Sequence, residues 1–159
     1  MAACGIDDII EETIMSKENE LYKAMEACNQ GLTLSENGDY TKALDAFSDA
    51  LVIFEAEKDH KNEAQVLMNI GSVYRDMSEP ILAEEYYHHA MEIFERLDDQ
   101  EGIANQFSNL GYISYVTSRL EEAAAYFEKA ARLYTKTGNT ERARLAEQNV
   151  EALKKELMS

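Results

Sequence analysis

The chain has 159 residues, 45% of them hydrophobic, and 31 acidic side chains against 15 basic ones give it a formal net charge of −16. This length holds one ordinary core or one short array of helices, and the acidic balance disfavours nucleic acid and anionic lipid, whose phosphates need clustered Lys and Arg. Seven glycines and one proline leave few places to break a helix, so we expect an all-α protein.

The first predicted element is a short acidic amphipathic helix within residues 1–23. Its isoleucines recur at helical spacing between acidic residues: Ile6, Ile9, Ile10 and Ile14. An isolated helix of this length is marginal in water and must dock to persist. We expect it to cap the helices that follow, and two alternatives stay open, in which it fills a groove of its own chain or joins two chains as a dimerising arm.

The start of the chain also bears on its location. No positively charged region followed by a long apolar run is present, so we expect neither a secretory signal nor a membrane span. The two cysteines, Cys4 and Cys28, cannot build a disulfide framework, and their spacing suits no metal site. These observations predict a reducing, cytoplasmic location.

Three copies of one pattern follow at an interval of forty residues, and we assign them to residues 24–63, 64–103 and 104–143. Shifting the sequence by this interval superposes small and aromatic residues: Gly31, Gly71 and Gly111; Ala43, Ala83 and Ala123; Phe47, Tyr87 and Phe127; Ala50, Ala90 and Ala130. Each copy is typical of two amphipathic helices. Neither helix can bury its apolar face alone, so the copies must stack.

Turn and capping residues mark the ends of these helices. Gly38 breaks the first copy, Pro80 is expected just inside a helix, and Ser118 with Glu121 matches a capping box. Candidate N-caps between the copies recur at the same interval: Asp59, Asp99 and Asn139.

The pattern ends in residues 144–159, where Glu151 occupies the place of the next glycine. Apolar residues remain on one side of this segment, and Lys154, Lys155 and Glu156 lie on the other. This arrangement predicts a C-terminal capping helix.

The middle copy resembles the tetratricopeptide repeat, with leucine in place of the usual tryptophan. The residues that carry the resemblance are Leu67, Ile70, Gly71 and Tyr74, then Ala83, Tyr87 and Ala90. The resemblance implies a right-handed α-solenoid of three helical hairpins plus the capping helix, acting as a non-enzymatic adaptor or scaffold that binds another protein. The common repeat has about 34 residues. The longer interval here resembles the Partner-of-Inscuteable type of adaptor, which holds extended peptides in a concave groove.

A candidate groove follows from asparagines that stand two residues before each glycine: Asn29, Asn69 and Asn109. Two residues turn a helix by ~200°, so asparagines point away from the partner helix if the glycines face it. An amide both donates and accepts hydrogen bonds, so it can bind the backbone of an extended peptide. The alternative is a polar residue that is exposed to solvent or lies between repeats. Helical steps add the rest of the predicted groove: Met25, Leu32 and Glu36; Gln65, Ser72 and Asp76; Asn105, Tyr112 and Val116.

The groove residues predict features of the partner. Glu36 and Asp76 favour a peptide with Lys or Arg near the first two repeats, and Tyr112 and Val116 form an apolar patch at the third. The alternative function is self-association as a homo-oligomer, either through the N-terminal helix or through side chains of the second helices: Tyr86, Met91 and Tyr126. The tyrosines can instead pack between second helices of adjacent repeats.

Catalysis, a cofactor and a metal are not expected. His88 and His89 are adjacent and point about 100° apart, so they do not make the pair spaced by four residues that a helical metal site needs. The sequence has no glycine-rich phosphate loop and no nucleophile elbow.

Overall fold

The computed structural model describes residues 6–158, with the side chains of Ile10 and of Thr13 onward. This part of the chain contains no strand and forms helices joined by two or three residues: α1 (Ile6–Glu36), α2 (Tyr40–Glu57), α3 (His60–Asp76), α4 (Pro80–Arg96), α5 (Gln100–Val116), α6 (Leu120–Thr137) and α7 (Thr140–Leu157). The predicted all-α class is confirmed. From α2 onward a helix begins every twenty residues.

The first helix is longer than the others because α1 runs unbroken through residue 23. The predicted N-terminal segment and the first helix of the first repeat are therefore one helix of 31 residues, ~46 Å long. Lys17 of α1 pairs with Glu57 at the end of α2, with 3.2 Å between Nζ and Oε2. The antiparallel α2 therefore lies against the part of α1 that follows Lys17. The predicted features outside the described residues are Cys4 and the side chains of Ile6 and Ile9.

The chain divides into two compact units, and the boundary between them lies within α3, between Val66 and Leu67. In the first unit, α1 and α2 pack as a hairpin. The apolar face of α2 is buried through five residues: Ala43, Ala46, Phe47, Ala50 and Phe54. They recur at intervals of three and four residues, as expected for one face of an amphipathic helix.

In the second unit, α4 packs on α5, α5 on α6, and α6 on α7. Near the start of this unit α3 contacts α4, where the rings of Tyr74 and Tyr86 stack with centroids 5.4 Å apart. Buried alanines cluster with aromatic and branched residues of the same helix and of the next one. One such cluster contains Ala83, Tyr87, Leu110 and Ile113, and another contains Ala123, Phe127, Val150 and Leu153.

The ends of the helices share one geometry. A residue with positive φ, between 52° and 81°, follows each helix from α1 to α6: Gly38, Lys58, Ser78, Asp98, Ser118 and Gly138. After every one, the next backbone N–H donates to a carbonyl five residues back, as from Asp99 to Phe94 at 2.9 Å. This is the Schellman arrangement, which satisfies carbonyls that the helix end leaves unpaired.

The capping predictions are confirmed at four positions and wrong at one. Pro80 is the first residue of α4. Side-chain oxygens of the three predicted N-caps accept backbone N–H groups three residues later: Asp59, Asp99 and Asn139. Ser118 does not cap α6, because it is the positive-φ residue that ends α5, and Arg119 precedes α6 without a side-chain cap. The demand of the preceding helix end outweighed the capping pattern.

Close approach of the helices depends on glycine. A Cβ added to Gly71 would lie 2.8 Å from the ring of Tyr87 and 3.3 Å from the carbonyl oxygen of Ala83. At Gly111 the nearest atoms belong to the ring of Phe127, at 3.1 Å. The space beside Gly71 is too small for a methyl group, whereas a methyl group at Gly111 requires only a small movement of the Phe127 ring.

We predict that Gly71→Ala lowers the free energy of unfolding by about 1–2 kcal/mol. Its methyl group overpacks a buried tyrosine and a carbonyl at the upper end of about 1–3 kcal/mol, which exceeds the gain of about 1 kcal/mol in helix propensity. Gly111→Ala is the matched control. It is expected to stay within about 0.5 kcal/mol of the parent, because the helix propensity of alanine exceeds that of glycine by about 1 kcal/mol and offsets the tighter contact. Urea denaturation followed by circular dichroism measures both changes. Equal losses in the two variants would contradict the geometry.

A buried amide is left without a hydrogen-bond partner in α5. Gln106 is 0% exposed, and neither its Nε2 nor its Oε1 is bonded. One interval earlier and one later, the corresponding positions hold the buried apolar residues Val66 and Ala146. Burial of an unbonded polar group costs about 1–3 kcal/mol, so this position lowers the stability of the second unit.

We predict that Gln106→Met, which keeps the size of the side chain and removes the unbonded amide, raises the free energy of unfolding by about 1–2 kcal/mol. The change is measured as a higher denaturation midpoint in urea at an unchanged slope. The control is Gln148→Met on the exposed side of α7, where little change is expected. A Gln106→Met protein that is less stable than the parent would show that the amide forms a stabilising interaction.

Candidate peptide-binding groove

The predicted groove residues of the first copy lie on one exposed face of α1. Met25, Asn29, Leu32 and Glu36 are separated by steps of four, three and four residues, and all of them are exposed. Met25 and Leu32 are large apolar side chains with about half of their surface open to solvent. In the first unit the asparagine is thus flanked by apolar residues on an accessible helix face.

The second copy places its residues along α3. Gln65, which belongs to the first unit, is exposed, whereas Asn69 and Ser72 in the second unit are half-buried. The hydroxyl of Ser72 donates to the carbonyl of Met68 at 3.1 Å and lies 3.2 Å from the hydroxyl of Tyr87. Ser72 therefore links α3 to α4.

Asp76 is exposed, and its negative charge is paired with a neighbouring cation. Its Oδ1 lies 2.8 Å from Nη2 of the neighbouring Arg75, and the Arg75 guanidinium lies 5.9 Å from the ring centroid of Tyr112 on α5. Burial opposes the charge of Arg75, but the electrostatic interaction with Tyr87 and the hydrogen bond to Asp76 outweigh it and raise the pKa of Arg75. Sequence reasoning overlooked Arg75, and the expectation that Asp76 favours a basic peptide stays a prediction.

The third copy places its residues along α5. Asn109 is half-buried, and Tyr112 and Val116 are each about half exposed. Asn105 has a structural role: its Oδ1 accepts hydrogen bonds from the hydroxyl of Tyr134, at 2.7 Å, and from the guanidinium of Arg142. These bonds join α5 to α6 and α7, so Asn105 stabilises the packing of the third repeat.

A fourth asparagine extends the series onto α7. Asn149 stands forty residues after Asn109 and is exposed. It borders a pocket of about 310 Å³ between α5 and α7, whose lining is mainly aromatic and apolar: Tyr112, Tyr115, Phe127, Asn149, Ala152, Leu153 and Glu156. The forty-residue interval after Asn109 could have predicted Asn149 from the sequence. Sequence reasoning missed it because Glu151 stands where the other copies have glycine.

The side chains considered for self-association lie within the packing of the second unit. Met91 and Tyr126 are partly buried against the cluster that contains Tyr87 and Leu110, and Tyr86 stacks on Tyr74. Burial raises the pKa of Tyr126, and so do the nearby carboxylates of Glu122 and Glu84.

Among the side chains that the structure describes, His, Cys, Asp and Glu nowhere gather in groups of three that could hold a metal ion. No described helix combines the length and the apolar character needed to cross a membrane.

Comparison with known proteins gives a family match. The tetratricopeptide repeat family matches residues 23–96 and 62–136, which together cover most of the chain. Among curated proteins, the photosystem I assembly protein Ycf3 of Rippkaea orientalis is 29% identical over 102 residues, 64% of this chain and 57% of that relative. Its counterpart in Acaryochloris marina is 23% identical over 133 residues, 84% of this chain and 74% of the relative. The first alignment thus spans little more than half of the relative's length.

Three solved structures share the fold. The TPR domain of Arabidopsis FLU has a TM-score of 0.67 at 23% identity, and covers 75% of this chain and 98% of that one. The first TPR of Spaghetti (RPAP3), bound to the HSP90 peptide SRMEEVD, has a TM-score of 0.66 at 19% identity, with 87% and 96% covered. BtubC (BKLC) from P. vanneervenii has a TM-score of 0.61 at 18% identity, with 86% and 65% covered. These likenesses establish the architecture of helical hairpins.

Cys28 lies beside Asn29, and burial raises the pKa of its thiol to about 11. We predict that iodoacetamide labels Cys28 in a Cys4→Ser protein at pH 7.5 roughly 100-fold more slowly than in the same protein unfolded in urea, because only the thiolate reacts. The rate should rise about tenfold per pH unit towards pH 11. Because the folded state disfavours the thiolate, stability should fall as the pH rises from about 9 to 11. Mass spectrometry measures the rate, and a plateau near pH 9 would contradict the prediction.

Proposed function

Because the chain belongs to the tetratricopeptide repeat family, we propose that it is a non-enzymatic adaptor that binds an extended peptide segment of a partner protein. Membership of this family indicates a protein interaction module. The peptide lies along the face of α3 and α5 that bears Asn69 and Asn109. The observation that carries the proposal is that Asn69 and Asn109 occupy the same position on consecutive first helices of the second unit, where both are partly accessible.

The spacing of these helices supports a peptide ligand. Adjacent packed helices lie ~10 Å apart, close to the length of three residues of extended peptide. Arg75 on α3 reaches over Tyr112 on α5, so side chains of the two first helices meet at this face. One amide for every three peptide residues can bind the peptide backbone without selecting its sequence.

The charge of the chain supports a basic partner. Its net charge of −16 attracts basic segments and repels acidic ones. The Spaghetti domain, which shares the fold, is bound to an HSP90 peptide with acidic residues. Here Met25, Cys28, Met68 and Ser108 occupy places where a domain that clamps a carboxylate needs cations. We therefore propose that the two proteins select different peptides.

The wider role follows from this mode of binding. The curated relatives are named for the assembly of photosystem I, and an adaptor that holds partner segments fits a role in assembling a complex. We also propose that the chain resembles the adaptors of the Partner-of-Inscuteable type, which have long repeats. We further propose that it is located in the cytoplasm.

The alternative function is self-association through the N-terminal part of α1. Ile10, Ile14 and Met15 each expose about half or more of their surface there, and a second chain would cover them. A mass from light scattering that stays monomeric at all concentrations would exclude this alternative.

The test of peptide binding compares a double variant with a matched control. Peptides are selected with the parent protein from a random dodecapeptide phage library, and their affinities are measured by fluorescence polarisation. Asn69→Ala with Asn109→Ala should weaken binding by about tenfold or more, since two hydrogen bonds are lost. The control, Asn19→Ala with Gln148→Ala, changes exposed amides elsewhere and should leave affinity unchanged. A double variant that keeps its helicity and full affinity would refute the proposal.

A further inference from the structure

The pocket between α5 and α7 has a distinct shape and chemistry. Its floor is apolar, formed by Phe127 and Leu153, which are 6% and 4% exposed. Tyr112 and Tyr115 stand one turn apart on α5 as its aromatic wall, and each is 47% exposed. The opposite wall is α7, whose lining residues fall on one helix face: Asn149, Ala152, Leu153 and Glu156. The pocket thus offers an apolar base, aromatic rings and a polar rim.

The charge of the lining is acidic. Glu156 is the charged residue among those that line the pocket. The neighbouring lysines of α7 pair with carboxylates elsewhere, Lys154 with Glu128 at 2.8 Å and Lys155 with Glu151 at 3.1 Å. Glu156 also takes part in an interaction within the chain, but a carboxylate has about four acceptor sites. It can therefore accept a further donor from a ligand.

The aromatic wall suits a cation. The ring of Tyr112 already has the Arg75 guanidinium 5.9 Å from its centroid, within the range of a cation–π interaction. Asp76 balances the charge of that arginine, so Arg75 does not impose a net positive charge on the pocket. Arg and Lys side chains combine a hydrocarbon stem with a charged end, which matches an apolar floor beside a carboxylate.

We propose that this pocket binds an arginine or lysine side chain of the peptide. The stem packs on Phe127, Leu153 and the tyrosine rings, and the charged end reaches Glu156. Asn149 binds the peptide backbone beside it, as Asn69 and Asn109 do in the repeats before it. This inference rests on the proposed peptide-binding function and adds the residue that determines specificity.

The test uses dodecapeptide pools in which one central residue is Arg, Lys, Leu, Phe or Asp and the other positions are random. The parent should bind the Arg and Lys pools about tenfold more tightly than the Leu pool. Glu156→Gln should remove that preference. The control Glu151→Gln changes the net charge equally, on an exposed residue of the same helix outside the pocket, and should keep the preference.

Two results would overturn the pocket assignment without affecting the proposed function. The first is tightest binding of the Leu or Phe pool, which would indicate that the pocket binds an apolar side chain. The second is a preference for the Arg and Lys pools that survives Glu156→Gln. In either case the pools would still bind the parent more tightly than the Asn69→Ala, Asn109→Ala variant. If that variant binds every pool as well as the parent, the proposed function fails together with the pocket. Circular dichroism of each variant shows that the helices are intact.

Discussion

The fold depends on the contact between a glycine in the first helix of a hairpin and an aromatic ring in the second. A Cβ at Gly31 would lie 2.7 Å from the ring of Phe47, and one at Gly71 would lie 2.8 Å from the ring of Tyr87. Where a side chain is absent, the ring fills its space, and the two helices approach closely. Buried alanines on the second helices, Ala43, Ala83 and Ala123, extend the same contact.

This contact also determines which way the asparagines of each first helix point. Since the glycine faces the second helix, the residue two positions before it points to the other side. That position holds Asn29, Asn69 and Asn109, with Asn149 on the final helix. The proposed adaptor function rests on this packing, because the contact that closes a hairpin directs a polar residue of the first helix away from the second. Asn29 is exposed there, and Asn69 and Asn109 are half-buried.

Charge acts on a different scale from packing. The net charge of −16 is spread along the whole chain and favours the approach of basic peptides. Specificity requires local groups, and their arrangement differs between repeats. In the second repeat Arg75 neutralises Asp76, whereas the pocket beside α7 combines tyrosine rings with Glu156. We therefore assign the selection of a basic side chain to that end of the second unit.

The sequence by itself determined the class of fold and most of the places where the helices begin and end, the exceptions being the long α1 and the start of α6. A strict period of forty residues, small residues that face aromatic ones, and N-caps at Asp59, Asp99 and Asn139 are local signals, because each depends on neighbours within one or two turns or on its own repetition. The asparagine stripe could be predicted for the same reason, from its position relative to each glycine.

Only the tertiary structure shows which polar side chains form hydrogen bonds within the fold, which are buried without a partner, and which line a pocket. Asn105 occupies a predicted groove position but is bonded to Tyr134 and Arg142 from two later helices. Gln106 is buried without a hydrogen-bond partner where its counterparts are apolar, and the pocket beside Asn149 needs residues from α5, α6 and α7 together. Such features arise between residues far apart in the chain, so no periodicity within one helix reports them.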